Sequence, residues 1–451
     1  MLLKKIRQSS EVFDKLANSY EVWVPESGWL AGRRNRDKND SKRKNLTDWS
    51  ILSFLLEIDN CHYPMADSYL QYGIDGVIRI AAETLETLKN NLQSELQDQT
   101  QLDIAYLESL LHVWKRFRQF VADHMVLALE CAKQETSDTK KKCYEKIAKI
   151  CQNLTINKPN TFCEALQLFW FTYLFRSPFG AGCIGRLDQL LYPFYKHDCE
   201  MGIWDQQEAE KMLEEMFTRM NEINTGDTLR NLMLSGQDAK GNDQTNEITY
   251  LILVAYENTG GSEPHLNVRF HEKTPKKLRD NCINMLSSGS GQPTIYFDEA
   301  VLPAMEKAGI CHEDACQYAN DGCTETVIAG KSAIIFWQYE MVKTVELTLF
   351  GGNENPCVKP VSMKKNSIHG ADFVPKTNLL IGIESKKPQE LTTFSEFLSA
   401  FFEQMDHQLD HYFLMIKQKM QEDQTVSITS PFTAGTFEKC LRTGKDPLRG
   451  G

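Results

Sequence analysis

His265–Phe270 reads HLNVRF, a short run rich in β-forming residues. A helical segment at Lys276–Leu286 and a second short β-forming run, Thr294–Phe297 (TIYF), come after it. Outward from there the same texture holds. A helical segment at Gln206–Ile223 precedes the run Leu232–Leu234, and another at Ala300–Lys307 comes after TIYF. Strand then helix, repeated, implies parallel strands joined by crossover helices. Such a sheet is buried on both faces and must be flanked by helices or close on itself. The fold class is α/β.

The first third has a different pattern. Ile80, Leu85, Leu88 and Leu92, then Ile104, Leu107, Leu110, Leu111, Trp114 and Phe117, recur mostly at three and four, which is helical periodicity. Residues 1–160 are therefore expected to be mainly helical, although Met1 to about Leu30 reads as mixed. Gly32–Asn45 (GRRNRDKNDSKRKN) has no apolar residue and reads as a solvated connecting loop, with a basic docking patch as the lesser reading. Leu166–Phe175 (LQLFWFTYLF) reads as a buried helix or strand, being half of what a membrane span needs. The long amphipathic segment that starts near Phe394 is expected to cover the sheet.

The chain has 451 residues, 41% hydrophobic and 25% charged, enough for ordinary globular cores. Lys and Arg number 50 against 61 Asp and Glu, a net charge of -11, which argues against nucleic acid or anionic lipid as a partner. MLLKKIRQSSEVFDKL lacks the apolar core of a signal peptide, and 13 cysteines are scattered singly. Together these predict a cytoplasmic, membrane-free protein with reduced thiols.

The segment most informative about chemistry is Tyr318–Ser332, YANDGCTETVIAGKS. Glycines at 322 and 330 allow tight turns, so Cys323 and Glu325 can sit on a loop entering a pocket. Residues two apart on an extended loop point to the same side. A carboxylate beside a thiol raises the thiol pKa and opposes a nucleophilic thiolate. A cysteine that carries a hydrogen atom need not ionise, and the carboxylate can then handle a proton. Standing alone, C-x-E is most often structural. Cys311, His312, Cys316 and Cys323 are metal-ligating residue types, but their irregular spacing argues against a metal site.

Gly322-Cys323-Thr324-Glu325 resembles the cysteine loop of the glycyl radical enzymes, the group containing pyruvate formate-lyase (formate C-acetyltransferase) and B12-independent dehydratases; Thr324 and Thr326 stand where Val and Pro are common. Five further blocks, in order, carry the likeness. These are Gly185-Arg186-Leu187-Asp188-Gln189 with Leu191 to Tyr195, Leu234 to Asp243 with Asn246-Glu247, Pro264 to Phe270, Gly291-Gln292-Pro293 to Asp298, and Cys440 to Gly451.

The resemblance implies a ten-stranded β/α barrel built from two half-barrels, of which residues 161–451 would supply about half. It also implies that a glycine radical, installed by an activating enzyme using S-adenosylmethionine and an iron–sulfur cluster, makes a thiyl at Cys323, with Glu325 as general base. His62, in Asn60-Cys61-His62…Asp67…Tyr69…Gly73, is similar to a substrate-contacting histidine of the dehydratases. A capping or core histidine is an equal reading. Arg186 and Asp188 are candidate substrate ligands or, more simply, a buried structural pair that satisfies itself.

Three departures bear on function. Diol dehydratases of the family carry an aspartate fourteen residues after the cysteine, where Trp337 stands; the Phe336-Trp337 pair points to a different, less polar substrate. Pyruvate formate-lyase has two adjacent cysteines, whereas Gly322 precedes Cys323 here. No Arg-Val-x-Gly-Tyr/Phe segment of a glycine radical domain occurs in these residues. The expectation is thus the thiyl-bearing part of a glycyl radical lyase, dehydratase or decarboxylase, inactive alone and completed by a second chain or a further segment. A homo-oligomer is expected. The alternative is a catalytically inactive remnant or an interaction subunit that keeps the fold.

Overall fold

The N-terminal third is helical, and the helix begins earlier than its sequence suggests. In the computed structural model, residues 2–33, 54, 66–90, 98–176, 182–203, 206–222, 230–261, 263–322, 325–332, 341–353, 382–426 and 428–450 are described. Helix α1 (Leu2–Ser19) comes from the stretch that reads as mixed. Its buried face is Ile6, Ser9, Val12, Phe13, Leu16 and Ala17. The polar Ser9 interrupts the apolar stripe, but it is satisfied: its hydroxyl donates to the Ile6 carbonyl at 2.6 Å.

Helices α2 (Ser68–Asn90), α3 (Asp98–Gln134) and α4 (Asp138–Ile156) follow. Helix α5 (Phe162–Arg176) is buried at every residue. An apolar segment buried all round shows no amphipathic period, so its sequence alone leaves helix and strand open. Phe117 of α3 lies 5.3 Å from Phe175 of α5, and Trp114 stacks on Phe432 at 5.0 Å.

His124 of α3 is enclosed by this aromatic packing. Its Nε2 accepts from the Trp23 amide at 3.3 Å, which assigns the proton to Nδ1, facing the Phe120 carbonyl at 2.8 Å. Burial holds its pKa down from 6.5 to about 4. Between those values the unfolded chain binds a proton that the folded chain refuses. The contribution of His124 is therefore intact above the upper value and lost as pH falls towards the lower. His124→Gln removes this penalty. Urea unfolding should show the variant gaining on the natural chain by up to roughly 3 kcal/mol between pH 6.5 and pH 4. Parallel pH dependences for the two proteins would refute the neutral, buried assignment.

The sheet follows α5. Strands β1 (Gly182–Gly185), β2 (Arg230–Ser235), β3 (His265–Phe270) and β4 (Thr294–Phe297) lie side by side in chain order, all parallel. The crossovers carry α6 (Leu187–Glu200) and α7 (Gln206–Asn221), then α8 (Glu247–Thr259), then α9 (Lys276–Ser287). Strand β1 reads GCIG, and two glycines in four residues give no β-forming signal. Helix α10 (Asp298–Lys307) starts two residues earlier than expected, with Asp298 and Glu299 in its first turn. Acidic residues are favoured there by the helix dipole.

Register sorts the sheet's two faces. Leu234, Val268 and Ile295 align across β2, β3 and β4 and join the large core that packs under the helices. Cys183 and Met233 belong instead to a separate cluster on the opposite face, with Leu302, Met305, Cys316, Tyr318, Ala319 and Val327. That face carries the antiparallel hairpin β5 (Ala319–Asp321) and β6 (Glu325–Val327).

Contacts group Met1–Ile334 with Ile428–Gly451 as one compact unit and Ile335–Ser427 as another. The second contains α11 (Met341–Leu349) and the long α12 (Phe394–Val426), joined by a buried hydrogen bond from the Thr344 hydroxyl to Gln408 Oε1 at 2.9 Å. Most of the basic stretch at 32–45 lies outside the described residues. Among the described residues no helix is long and apolar enough to cross a membrane, and the described cysteines are free thiols.

Candidate active site

The hairpin pairs Ala319 with Val327, Asn320 with Thr326 and Asp321 with Glu325. Two carboxylate residues therefore stand directly opposite one another, Asp321 buried and Glu325 half-buried. Opposed like charges destabilise a pair of strands, so this rung needs support from outside the hairpin. Gly322 enters the turn at φ +43°. Cys323 and Thr324 lie outside the described residues, as do His62, Phe336 and Trp337.

Support comes from side chains of the parallel strands. The Asn231 side-chain amide on β2 donates to the Gly322 carbonyl, and Asn231 Oδ1 accepts from Asn267 Nδ2 on β3 at 2.8 Å. The Cys183 thiol on β1 donates to the Asn320 carbonyl at 2.9 Å. Burial pushes that thiol's pKa up, and neighbouring Asp321 adds to the effect. Cys183 therefore remains a protonated donor.

The root of the hairpin is fixed more strongly. Arg269 makes a bidentate pair with Asp298, Nε to Oδ1 and Nη2 to Oδ2, both 2.8 Å, with both side chains fully buried. Its Nη1 donates to the Cys316 carbonyl at 2.9 Å, and its guanidinium lies 4.1 Å from the centre of the Tyr318 ring. The Tyr318 hydroxyl donates to Asp298 Oδ1 at 3.0 Å. Tyr318 immediately precedes β5, so the ion pair ties the hairpin to the ends of β3 and β4. A Cβ at Gly236, φ +101°, would stand 2.5 Å from the Arg269 guanidinium. Glycine is required there for arginine to pass.

Arg186 and Asp188 occupy the corner between β1 and α6, and they do not pair with each other. Arg186 Nη2 donates to the Ser235 carbonyl at 2.8 Å and Nη1 to Gln317 Oε1 at 3.1 Å. Asp188 Oδ2 accepts from the Ser235 amide at 2.8 Å and the Thr249 hydroxyl at 2.7 Å. Burial lowers the pKa of Arg186 to about 10, which leaves it charged at neutral pH, and raises that of Asp188. Together they clamp the backbone of Ser235, which has φ 60° at the end of β2. A non-glycine residue holds that conformation only where its surroundings over-determine it.

His312 also has partners: Glu306 Oε1 at 2.6 Å from Nδ1 and Cys316 Sγ at 3.6 Å from Nε2. A cavity of about 490 Å³ lies beside the segment after the hairpin, between Lys331, Ser332, Asp67 and Phe437. Sequence reasoning brought out Glu325 but passed over Asn231, Asn267, Asp298 and Cys183. Asp298 and Asn267 were inside blocks already recognised, as the last residue of GQPTIYFD and the fourth of PHLNVRF; Asn231 and Cys183 carry no local signal.

Comparison with known proteins adds to this geometry. The pyruvate formate lyase-like family model matches residues 60–451. Trans-4-hydroxy-L-proline dehydratase of Clostridioides difficile is 30% identical over 348 residues, covering 72% of this chain and 41% of that protein. (2S)-3-sulfopropanediol dehydratase of Klebsiella oxytoca is 26% identical, covering 84% of this chain and 45% of that protein. The B12-independent glycerol dehydratase of Clostridium butyricum, solved with glycerol bound, superposes with a TM-score of 0.77 at 21% identity, over 100% of this chain and 63% of that one. The last likeness is one of fold. The chain thus spans less than half the length of these two curated relatives.

Proposed function

The chain belongs to the pyruvate formate lyase-like family of glycyl radical enzymes, and from that premise we propose that it carries the hydrogen-abstracting cysteine of a glycyl radical lyase or dehydratase. Cys323 is the hydrogen-atom carrier and Glu325 the proton acceptor. A glycine radical supplies the one-electron oxidising equivalent, from a segment outside these residues, and an activating enzyme using S-adenosylmethionine and an iron–sulfur cluster installs it. The chain works with that segment in an anaerobic cytoplasm, as a homo-oligomer.

The observation that carries this reading is the anchored hairpin. Glu325 stands on a strand whose root is bolted by a fully buried ion pair and whose turn accepts a hydrogen bond from Asn231. Preorganisation of this kind is what an active-site loop requires. The chemistry divides between two neighbouring groups. The Cys323 S–H, kept protonated, gives its hydrogen atom to the glycine radical. The resulting thiyl takes a hydrogen atom from a substrate C–H bond, re-forming S–H and leaving a substrate radical, and later returns it to the product radical. Meanwhile the carboxylate takes a proton from an adjacent O–H or N–H as the leaving group departs. The substrate is a small organic molecule other than a diol, with Phe336 and Trp337 as candidate contacts and His62 as a further one. Arg186 and Asp188, whose hydrogen bonds go to protein groups, act on the substrate region through the groups they hold, Ser235 and, for Arg186, Gln317 before the hairpin.

The test is anaerobic co-expression with a glycine-bearing C-terminal segment and an activating enzyme, followed by electron paramagnetic resonance. A glycine-centred doublet is expected, and turnover that depends on it. No turnover of any small lyase substrate, despite a full-strength doublet, would favour an inactive remnant.

A further inference from the structure

A backbone carbonyl and two side chains in series fix the orientation of a buried amide beside the hairpin. The Gly322 carbonyl can only accept a hydrogen bond, so the Asn231 group facing it must be Nδ2. Asn231 Oδ1 therefore faces Asn267 and must receive a donor, which sets Asn267 Nδ2 towards it at 2.8 Å. The same Nδ2 also reaches the His265 carbonyl at 3.3 Å, another obligate acceptor. No freedom to flip remains, and Asn267 Oδ1 is left as an acceptor.

That oxygen has no hydrogen-bond partner among the described residues, although Asn267 is fully buried. An unsatisfied buried acceptor destabilises the fold, and native proteins rarely keep one without a use. In register it stands level with Met233 and Thr294, on the face of the sheet that carries the hairpin rather than the helices.

The geometry points to Asn267 as a specificity-determining residue whose Oδ1 accepts a hydrogen bond from a hydroxyl or ammonium group of the substrate. This assignment rests on the lyase reading above and narrows its substrate class. A molecule presenting only carbonyl or carboxylate oxygens to that point would set acceptor against acceptor and be rejected. One presenting O–H or N–H would complete the chain of bonds that runs through Asn231 to the hairpin turn. The substrate's polar group would thereby be tied, through two amides, to the backbone beside the candidate catalytic sulfur.

Isothermal titration of the purified chain tests this with matched small molecules. Isethionate, taurine and ethanesulfonate share a two-carbon sulfonate and differ in bearing a hydroxyl, an ammonium or neither. Trans-4-hydroxy-L-proline and L-proline form a second matched set. At least one donor-bearing compound should bind about tenfold or more tightly than its counterpart, and Asn267→Leu should erase the difference. Comparison within the natural chain decides the matter even if the leucine variant fails to fold. Equal binding across both sets overturns the proposal, as does a soaked crystal in which Asn267 Oδ1 meets only water. The glycine-centred resonance is independent of Asn267, so a doublet with turnover but without donor discrimination would sink this assignment and leave the lyase reading standing.

Discussion

Asp298→Ala is expected to lower the free energy of unfolding by about 3–5 kcal/mol. The substitution strands the fully buried Arg269 guanidinium, which loses both bonds of its bidentate pair. It also leaves the Tyr318 hydroxyl without the oxygen that now receives it. Urea unfolding of the variant measures the loss. Arg269→Met combined with Asp298→Leu removes both charges together and should recover much of the stability, because a buried pair replaced by apolar groups of similar size is often neutral. The double variant should nonetheless fail in turnover, since the Cys316 carbonyl and Tyr318 at the hairpin root would no longer be held by the guanidinium. A single variant within about 1 kcal/mol of the natural chain, the size of an exposed pair's contribution, would show that water reaches the pair and that the anchor is weak.

Glu325→Gln, in the assembled and activated enzyme, is expected to reduce kcat by about 10²–10⁴, the usual contribution of a positioned general base. Glutamine preserves the shape beside Gly322, where a Cβ would sit 3.2 Å from Glu325 Oε2, so the hairpin should be retained. The glycine-centred doublet should persist at full strength, separating loss of proton transfer from loss of radical storage. Cys323→Ala should keep the doublet and abolish turnover altogether. Asp321, directly across the rung, supplies the competing assignment. If Asp321→Asn carries the loss while Glu325→Gln stays within about threefold, well short of a general base's contribution, the proton goes to the buried carboxylate instead.

Much of this fold was legible in the order of residue types. Strands β3 and β4 occupy the spans read from HLNVRF and TIYF, because β-branched and aromatic residues bounded by turn formers leave little else for those stretches to be. Strand β1 was not legible. Its four residues include two glycines, and they are extended because the neighbouring strand pairs with them. Helix α1 was obscured by Ser9, whose hydroxyl is satisfied within the helix. For the candidate site, the Cys323–Glu325 pair stood out as a motif, and the anchors did not. Arg269 and Asp298 are 29 residues apart, and Asn231 and Gly322 are 91 apart. Nothing local marks residues that meet only after the sheet has formed. The expected mutual satisfaction of Arg186 and Asp188 failed for a related reason: proximity in sequence suggested a pair, whereas the turn into α6 sends each to a different atom of Ser235.

Strand alternation gives the two faces of the sheet different materials. The helix-covered face is branched aliphatic carbon, as at Leu234, Val268 and Ile295, whereas the hairpin face includes the sulfur side chains of Cys183, Met233, Met305 and Cys316. Thioethers and thiols are polarisable and tolerant of reshaping. Met233 can therefore be exchanged to reshape that face while the outer wall continues to specify the architecture, whereas Cys183 is kept by the hydrogen bond it gives to the Asn320 carbonyl. Selectivity and foldability are written on alternate residues of the same strands.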